Sequence, residues 1–250
     1  RGLGDVYKRQ NIDTVLLCMS LNQNFNLRRM ERYLSITYDS GATPVVVLTK
    51  ADLCPDVDSK IAEMRNAAPG VDILAVSSLS GDYEAVMPYI LPGKTVAFLG
   101  SSGVGKSTLT NKLMGTDSLA TGEIGAGDKG RHTTTHRELI ALPNGAFLID
   151  TPGMRELGMW DSGDGIDAAF RDIEELSRTC RFSNCTHTAE PGCAIQKALA
   201  DGTLDAARWA SFQKLKTENR SAADNSQYLE AKREKFKEIA EAYDVLSDPE

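Results

Sequence analysis

The chain has 250 residues, 41% hydrophobic and 25% charged, a balance that excludes global disorder. A net charge of −7, from 28 basic and 35 acidic residues, excludes a protein that grips nucleic acid by bulk charge; any such contact needs a local basic patch. No apolar run approaches the roughly 18 residues of a helical span, and the first residues lack the basic-then-apolar layout of a secretory signal, so no membrane contact and a cytoplasmic location are expected.

Residues 1–10 show no clear periodicity and are read as a remnant or truncated N-terminus outside the fold. Val15–Met19 is a continuous apolar run, predicted to be a buried strand. Leu27, Met30 and Leu34 follow at helical spacing, and Val45–Leu48 is a second buried strand, which together make a βαβ unit with a parallel sheet. Ile73–Val76 and Thr95–Leu99 are two further strands, the latter followed by glycines and a helix through Leu109 and Leu113. Leu139–Leu142 and Phe147–Ile149 read as a strand pair joined by a turn at Pro143-Asn144-Gly145. Residues 11–160 are therefore expected to form one α/β domain. Asp161–Gly165 reads as a linker. Ile166, Ala169, Phe170, Ile173 and Leu176 make one amphipathic stripe, and Leu204, Trp209, Phe212 and Leu215 lie on a later helical stretch. Arg220–Asn225 is polar and read as mobile, and Tyr228–Leu246 closes the chain with an apolar face. Residues 161–250 are expected to be a small, mostly helical second domain.

Gly100-Ser101-Ser102-Gly103-Val104-Gly105-Lys106-Ser107-Thr108 fits the Gly-x4-Gly-Lys-[Ser/Thr] phosphate loop, with a strand before it and a helix after it. Glycines let backbone N–H groups wrap a β-phosphate, and the helix N-terminus adds free donors. Lys106 would reach the β- and γ-phosphate oxygens and Ser107 would ligate Mg²⁺. Asp150-Thr151-Pro152-Gly153 ends the run from Phe147. An Asp there is placed to hold Mg²⁺, and Gly153 to offer its N–H to the γ-phosphate. Between these motifs, Lys129–His136 contains three threonines, of which Thr134 or Thr135 is the expected Mg²⁺ ligand.

Thr49-Lys50-Ala51-Asp52 ends a buried strand and resembles the guanine-reading element of GTPases. The Asp52 carboxylate would accept from guanine N1–H and the 2-amino group; adenine lacks both donors, which argues against an ATPase. Ser77-Ser78, at the end of the next strand, stands where a guanine-backing Ser-Ala pair is found. The order is the unusual feature. The guanine elements precede the phosphate loop, whereas an ordinary GTPase has them last. A circular permutation leaves the sheet intact when the termini lie close together.

Of five cysteines and three histidines, Cys180, Cys185, His187 and Cys193 crowd into one short segment. Three thiolates and an imidazole suit one closed, structural Zn²⁺ site with no open position for catalysis. Cys18 and Cys54 read as ordinary buried or half-buried residues.

With the permuted order, Gly-Arg-His-Thr-Thr-Thr, Asp-Thr-Pro-Gly-Met-Arg-Glu-Leu-Gly, and the cluster ending in Glu190-Pro191-Gly192-Cys193, the chain resembles the ribosome small subunit-dependent GTPase A family (RsgA, also called YjeQ or YloQ) from about Asn11 to Ala240. The fold this implies is an α/β P-loop GTPase with circularly permuted motif order, followed by a small helical zinc-binding domain. The resemblance further implies GTP and GDP as ligands, Mg²⁺ with GTP, zinc on the four-residue cluster, and action late in assembly of the small (30S) ribosomal subunit, on its rRNA. A monomer is expected. Two departures stand out. No counterpart of the OB-fold RNA-binding domain that begins family members is expected within residues 1–10, and Arg208–Lys237 is only modestly basic.

Met154 follows Asp-Thr-Pro-Gly, where Ras-like GTPases carry a glutamine that orients the attacking water. Slow intrinsic hydrolysis follows, with His132 or His136 the candidates within the chain to complete it. The rival reading is a zinc-stabilised RNA-binding assembly factor in which nucleotide only gates conformation; intact Lys106, Ser107 and Asp150 favour hydrolysis.

Overall fold

The computed structural model describes residues 12–22, 24–77, 82–115, 138–150, 163–222 and 224. Apolar, β-branched runs set the strands: β1 (Thr14–Ser20), β2 (Thr43–Thr49), β3 (Asp72–Val76), β4 (Thr95–Leu99), β5 (Glu138–Ala141) and β6 (Phe147–Asp150). They form one sheet in the order β3-β2-β1-β4-β6-β5, parallel except for the β5–β6 hairpin. β1 and β2 are buried along almost their whole length, which explains their unbroken apolar runs.

The two-residue period of a strand sorts these side chains into two layers. Val15, Leu17, Met19, Val46 and Leu48 face a cluster that includes Met30 and Leu34 of helix α1 (Leu27–Asp39) and Met64 of α2 (Val57–Ala67). Leu16, Cys18, Val45, Val47, Val96 and Phe98 face the other way, against Leu109 and Leu113 of α3 (Lys106–Met114) and Val86 and Ile90, in and just after a 3₁₀ segment at Asp82–Tyr89. The connection after β1 thus leads to one face and that after β4 to the other. Between these neighbouring strands lies the switch point where an open α/β sheet leaves a crevice at its carboxyl edge.

The predicted strands and the first and third helices are present. Helix α2 was not predicted, although Asp56 caps it by accepting from the Ser59 N–H (3.0 Å) and Val57, Ile61 and Met64 recur at helical spacing. The single stripe expected from Ile166 to Leu176 is two helices, α4 (Gly163–Ala169) and α5 (Arg171–Ser177), broken at Phe170. Gly163–Gly165 is no linker. A Cβ on Gly165 would stand 2.1 Å from the Ser35 carbonyl oxygen, so its lack of a side chain lets α4 lie against α1. Helix α6 (Ala194–Asp201) follows the Cys/His segment, and α7 is described over residues 206–222, so it runs into the polar stretch that begins at Arg220.

These C-terminal helices share the core layer of α1: Ile166, Phe170, Ile173, Ile195 and Leu215 belong to the cluster that contains Leu17 and Leu34. Arg208 of α7 ties them together. Its guanidinium donates to Glu31 of α1 (3.0 Å), to both carboxylate oxygens of Asp172 on α5 (2.9 and 2.6 Å) and to the Ala67 and Ala169 carbonyls, and it stacks over Phe170. Burial works to lower the Arg208 pKa, but the Asp172 and Glu31 carboxylates outweigh it and hold the pKa above its ordinary value. Arg28 and Arg32 of α1 add ion pairs to Asp205 and Glu218.

Candidate functional site

The glycine-rich turn leaves β4 at Gly100, packed so closely on β1 that a Cβ there would lie 2.4 Å from the Cys18 carbonyl oxygen; no other residue fits. Gly103 and Gly105 have positive φ (78° and 97°), and Val104 between them is buried, anchoring the turn. Gly105 begins α3 without a side-chain cap, so the first N–H groups of the helix are left for an anion. The Lys106 ammonium donates to the Gly100 and Ser101 carbonyls (2.7 and 2.8 Å), across the mouth of the loop where a phosphate belongs. Ser107 is exposed on the first turn of α3. The register Ala97↔Ile149 brings the end of β6 alongside the strand that feeds this loop, and Asp150 is its last residue.

The guanine-side residues meet the phosphate side at Thr49. Its buried hydroxyl donates to the Val104 carbonyl (2.6 Å), while its own carbonyl accepts from the Leu21 N–H (2.9 Å). Lys50 then takes a left-handed conformation (φ 59°), unusual for a residue with a side chain. It turns the chain off the sheet into a short 3₁₀ segment, Ala51–Leu53, where Asp52 is exposed at the carboxyl edge. Ser77, just past β3, is buried at the same edge. The structure therefore brings Thr49, Gly100–Thr108 and Ser77 to one side of the sheet. Ser78, His132, Thr134, Thr135, His136, Gly153, Met154 and the side chain of Asp150 lie outside the described residues, as do residues 1–10 and Tyr228–Leu246.

The ligating atoms of Cys180, Cys185, His187 and Cys193 all lie within 4.8 Å of one another. His187 Nδ1 is 3.5 Å from Cys180 Sγ and 3.6 Å from Cys193 Sγ, and those two sulfurs are 4.0 Å apart. Zn–S and Zn–N bonds at tetrahedral angles require S···N near ~3.5 Å and S···S near ~3.8 Å, so the donor set fits a metal ion. The chain places the donors through local hydrogen bonds. The Ala194 and Gln196 N–H groups point at the sulfurs of Cys180 and Cys193 (3.3 and 3.4 Å), and Gln196 Nε2 holds the His187 carbonyl (2.6 Å) while His187 takes a left-handed φ of 61°.

Burial works to raise the Cys180 pKa, but the Ala194 and Ile195 N–H groups prevail and set it below the ordinary thiol value. Burial, with neighbouring sulfurs, pushes Cys185 up to about 11. Glu190, missed in the sequence as a structural residue, folds the loop by accepting from the Thr186 hydroxyl and the Thr186, Thr188 and Ala189 N–H groups. Those bonds, the Thr186 hydroxyl foremost, hold its carboxyl down at about 2. All five cysteines are free of disulfides.

The model of the RsgA GTPase family matches residues 7–160. A second model, for ABC transporters, matches residues 84–243, a stretch that contains the phosphate loop common to P-loop NTPases. Small ribosomal subunit biogenesis GTPase RsgA 2 of Lactiplantibacillus plantarum is 52% identical over 222 residues, 88% of this chain and 62% of that protein. The Opitutus terrae protein named small ribosomal subunit biogenesis GTPase RsgA is 48% identical over 248 residues, 96% of this chain and 68% of its own length. The chain thus spans about two thirds of these relatives' length. Two solved structures share the fold at 27% identity over 84% of this chain: YjeQ from Thermotoga maritima (TM-score 0.62, 72% of that chain) and YloQ, a circularly permuted GTPase (TM-score 0.61, 69% of that chain).

Proposed function

Because the chain belongs to the RsgA GTPase family, we propose that it binds GTP and hydrolyses it to GDP and phosphate during late maturation of the small ribosomal subunit, which stimulates the turnover. The observation that carries this reading is the Thr49–Val104 hydrogen bond. It couples the Thr49–Asp52 element to the phosphate loop although the chain runs through them in reversed order, as one nucleoside polyphosphate spanning both would require. Asp52 reads guanine with Ser77 and Ser78 behind it. The loop N–H groups and Lys106 hold the phosphates, and Ser107 and Asp150, with Thr134 or Thr135, would hold Mg²⁺. That ion, when bound, neutralises charge on the β- and γ-phosphates.

Functionally the chain divides into residues 11–160, which carry the nucleotide motifs, and 161–250, which carry the metal cluster. Zinc is the metal we assign there, in a structural role, and rRNA of the subunit is the surface the protein meets, as a monomer. His132 and His136 are the candidates for positioning the attacking water. The ABC transporter match favours one rival, an ATPase; a carboxylate at Asp52 opposes it, because adenine offers no donor pair. The test is phosphate release from GTP and from ATP, with and without purified small subunits. Slow GTP turnover that rises at least about tenfold with subunits, and none with ATP, is expected. Equal turnover of both nucleotides, or no response to subunits, overturns the proposal.

A further inference from the structure

The three arginines on the first two turns of α1 do different things. Arg28 pairs with Glu31 and Asp205, and Arg32 pairs with Glu218. Arg29 has no ion pair among the described residues. It points toward the phosphate loop instead, with Nη1 3.5 Å from the Ser101 hydroxyl. The placement follows from topology. β1 and β4 are neighbours, so the helix that follows β1 starts beside the loop that follows β4. Asn26 fixes that start by accepting from the Arg29 N–H (3.0 Å).

Ser101 is thereby approached by two cations, Arg29 at its hydroxyl and Lys106 at its carbonyl (2.8 Å). Arg29 and Lys106 are both half-buried, so water screens them incompletely. Two like charges converging on one loop residue repel, and an anion in the loop relieves that repulsion in proportion to its charge. At 3.5 Å the contact is long, and among the described residues most of the guanidinium donors have no other side-chain partner.

The geometry points to Arg29 as a positioning residue of the phosphate site, acting through Ser101 to favour nucleoside triphosphates over diphosphates. This rests on the reading of Gly100–Thr108 as a polyphosphate loop. Arg29 contributes charge that Lys106 alone does not supply, and it does so from outside the loop. A triphosphate, carrying one more phosphate than a diphosphate, gains more from it.

The test compares the full chain with its Arg29→Met, Arg29→Gln, Arg29→Lys and Ser101→Ala variants. Affinities for a non-hydrolysable GTP analogue and for GDP are measured at low and high salt, with melting temperature and bound metal recorded for each variant. Arg29→Met and Arg29→Gln should weaken the analogue about tenfold and GDP by no more than about threefold, and the gap should narrow in salt. Arg29→Lys should restore most of the preference, and Ser101→Ala should lower it in part. Equal losses for both nucleotides, no loss, or a lysine variant that behaves like methionine overturns the role of Arg29, as does a loss that tracks melting temperature rather than charge. Failure of the unaltered protein to bind either nucleotide overturns the phosphate-loop reading itself, and this inference with it.

Discussion

Thr49 shows how much depends on a single hydroxyl: it ties the end of β2 to the carbonyl of Val104, while Lys50 beside it accepts a left-handed backbone. Both hold the segment from which Asp52 projects. If Asp52 reads guanine through two accepted hydrogen bonds, Asp52→Asn should reverse the preference toward xanthosine triphosphate, by about tenfold or more in competition binding. Unchanged base preference removes the guanine assignment. The residue types at this site were legible because their chemistry is unusual: Lys106 after two glycines, or Asp52 at the end of an apolar run. Arg29 and Glu190 were not legible, since an arginine on a helix and a glutamate in a loop are ordinary until their neighbours are known. Arg29 acquires meaning only from Ser101, far along the chain, and Glu190 from the N–H groups folded around it.

Two elements owe their stability to polar groups rather than to apolar area alone. The Cys180–Cys193 loop has little regular structure, and its four donors already stand at metal-ligand spacing. Elemental analysis should find one zinc per chain. Removing it with a chelator should shift the emission of Trp209, whose ring meets His187 edge-on at 5.9 Å, and should lower the melting temperature. No change in Trp209 emission as the metal leaves would argue against zinc as the organiser of this loop.

The second element is the junction of α1, α5 and α7 at Arg208, only 4% exposed, facing the fully buried Glu31. Arg208→Met leaves the buried Glu31 carboxylate with only the half-exposed Arg28 as its cation partner among the described residues and should cost about 3–5 kcal/mol in urea unfolding, while adding Glu31→Gln should recover more than half of that. Independent, additive losses would mean that the pair is not coupled. Helix α2 carries its own cap at Asp56 and its own apolar stripe in consecutive residues, so its signal is local. The break falls at Phe170, a residue with no capping side chain, whose ring sits against Phe212 and under the Arg208 guanidinium.

At the scale of the molecule, the residues before and after position 160 share one apolar layer, with Gly165 allowing α4 to lie on α1. A chain cut after residue 160 would leave the outer face of α1 bare and Glu31 without Arg208. It should bind an apolar-surface dye and aggregate at concentrations where the full chain does not; a soluble, nucleotide-binding fragment would show that the shared layer is dispensable. The sequence by itself determined the strands, the phosphate loop, the reversed motif order and the four metal-ligand candidates. Each of these is written in consecutive residues, as an apolar run, a glycine spacing or a cluster of sulfurs. Only the tertiary structure decided that Thr49 reaches Val104, that Arg29 faces Ser101, and that Gly163–Gly165, read as part of a linker, open a packed helix. Those outcomes depend on which strands become neighbours and on what lies across a gap too narrow for a Cβ, and contacts between residues remote in the chain leave no local pattern to read.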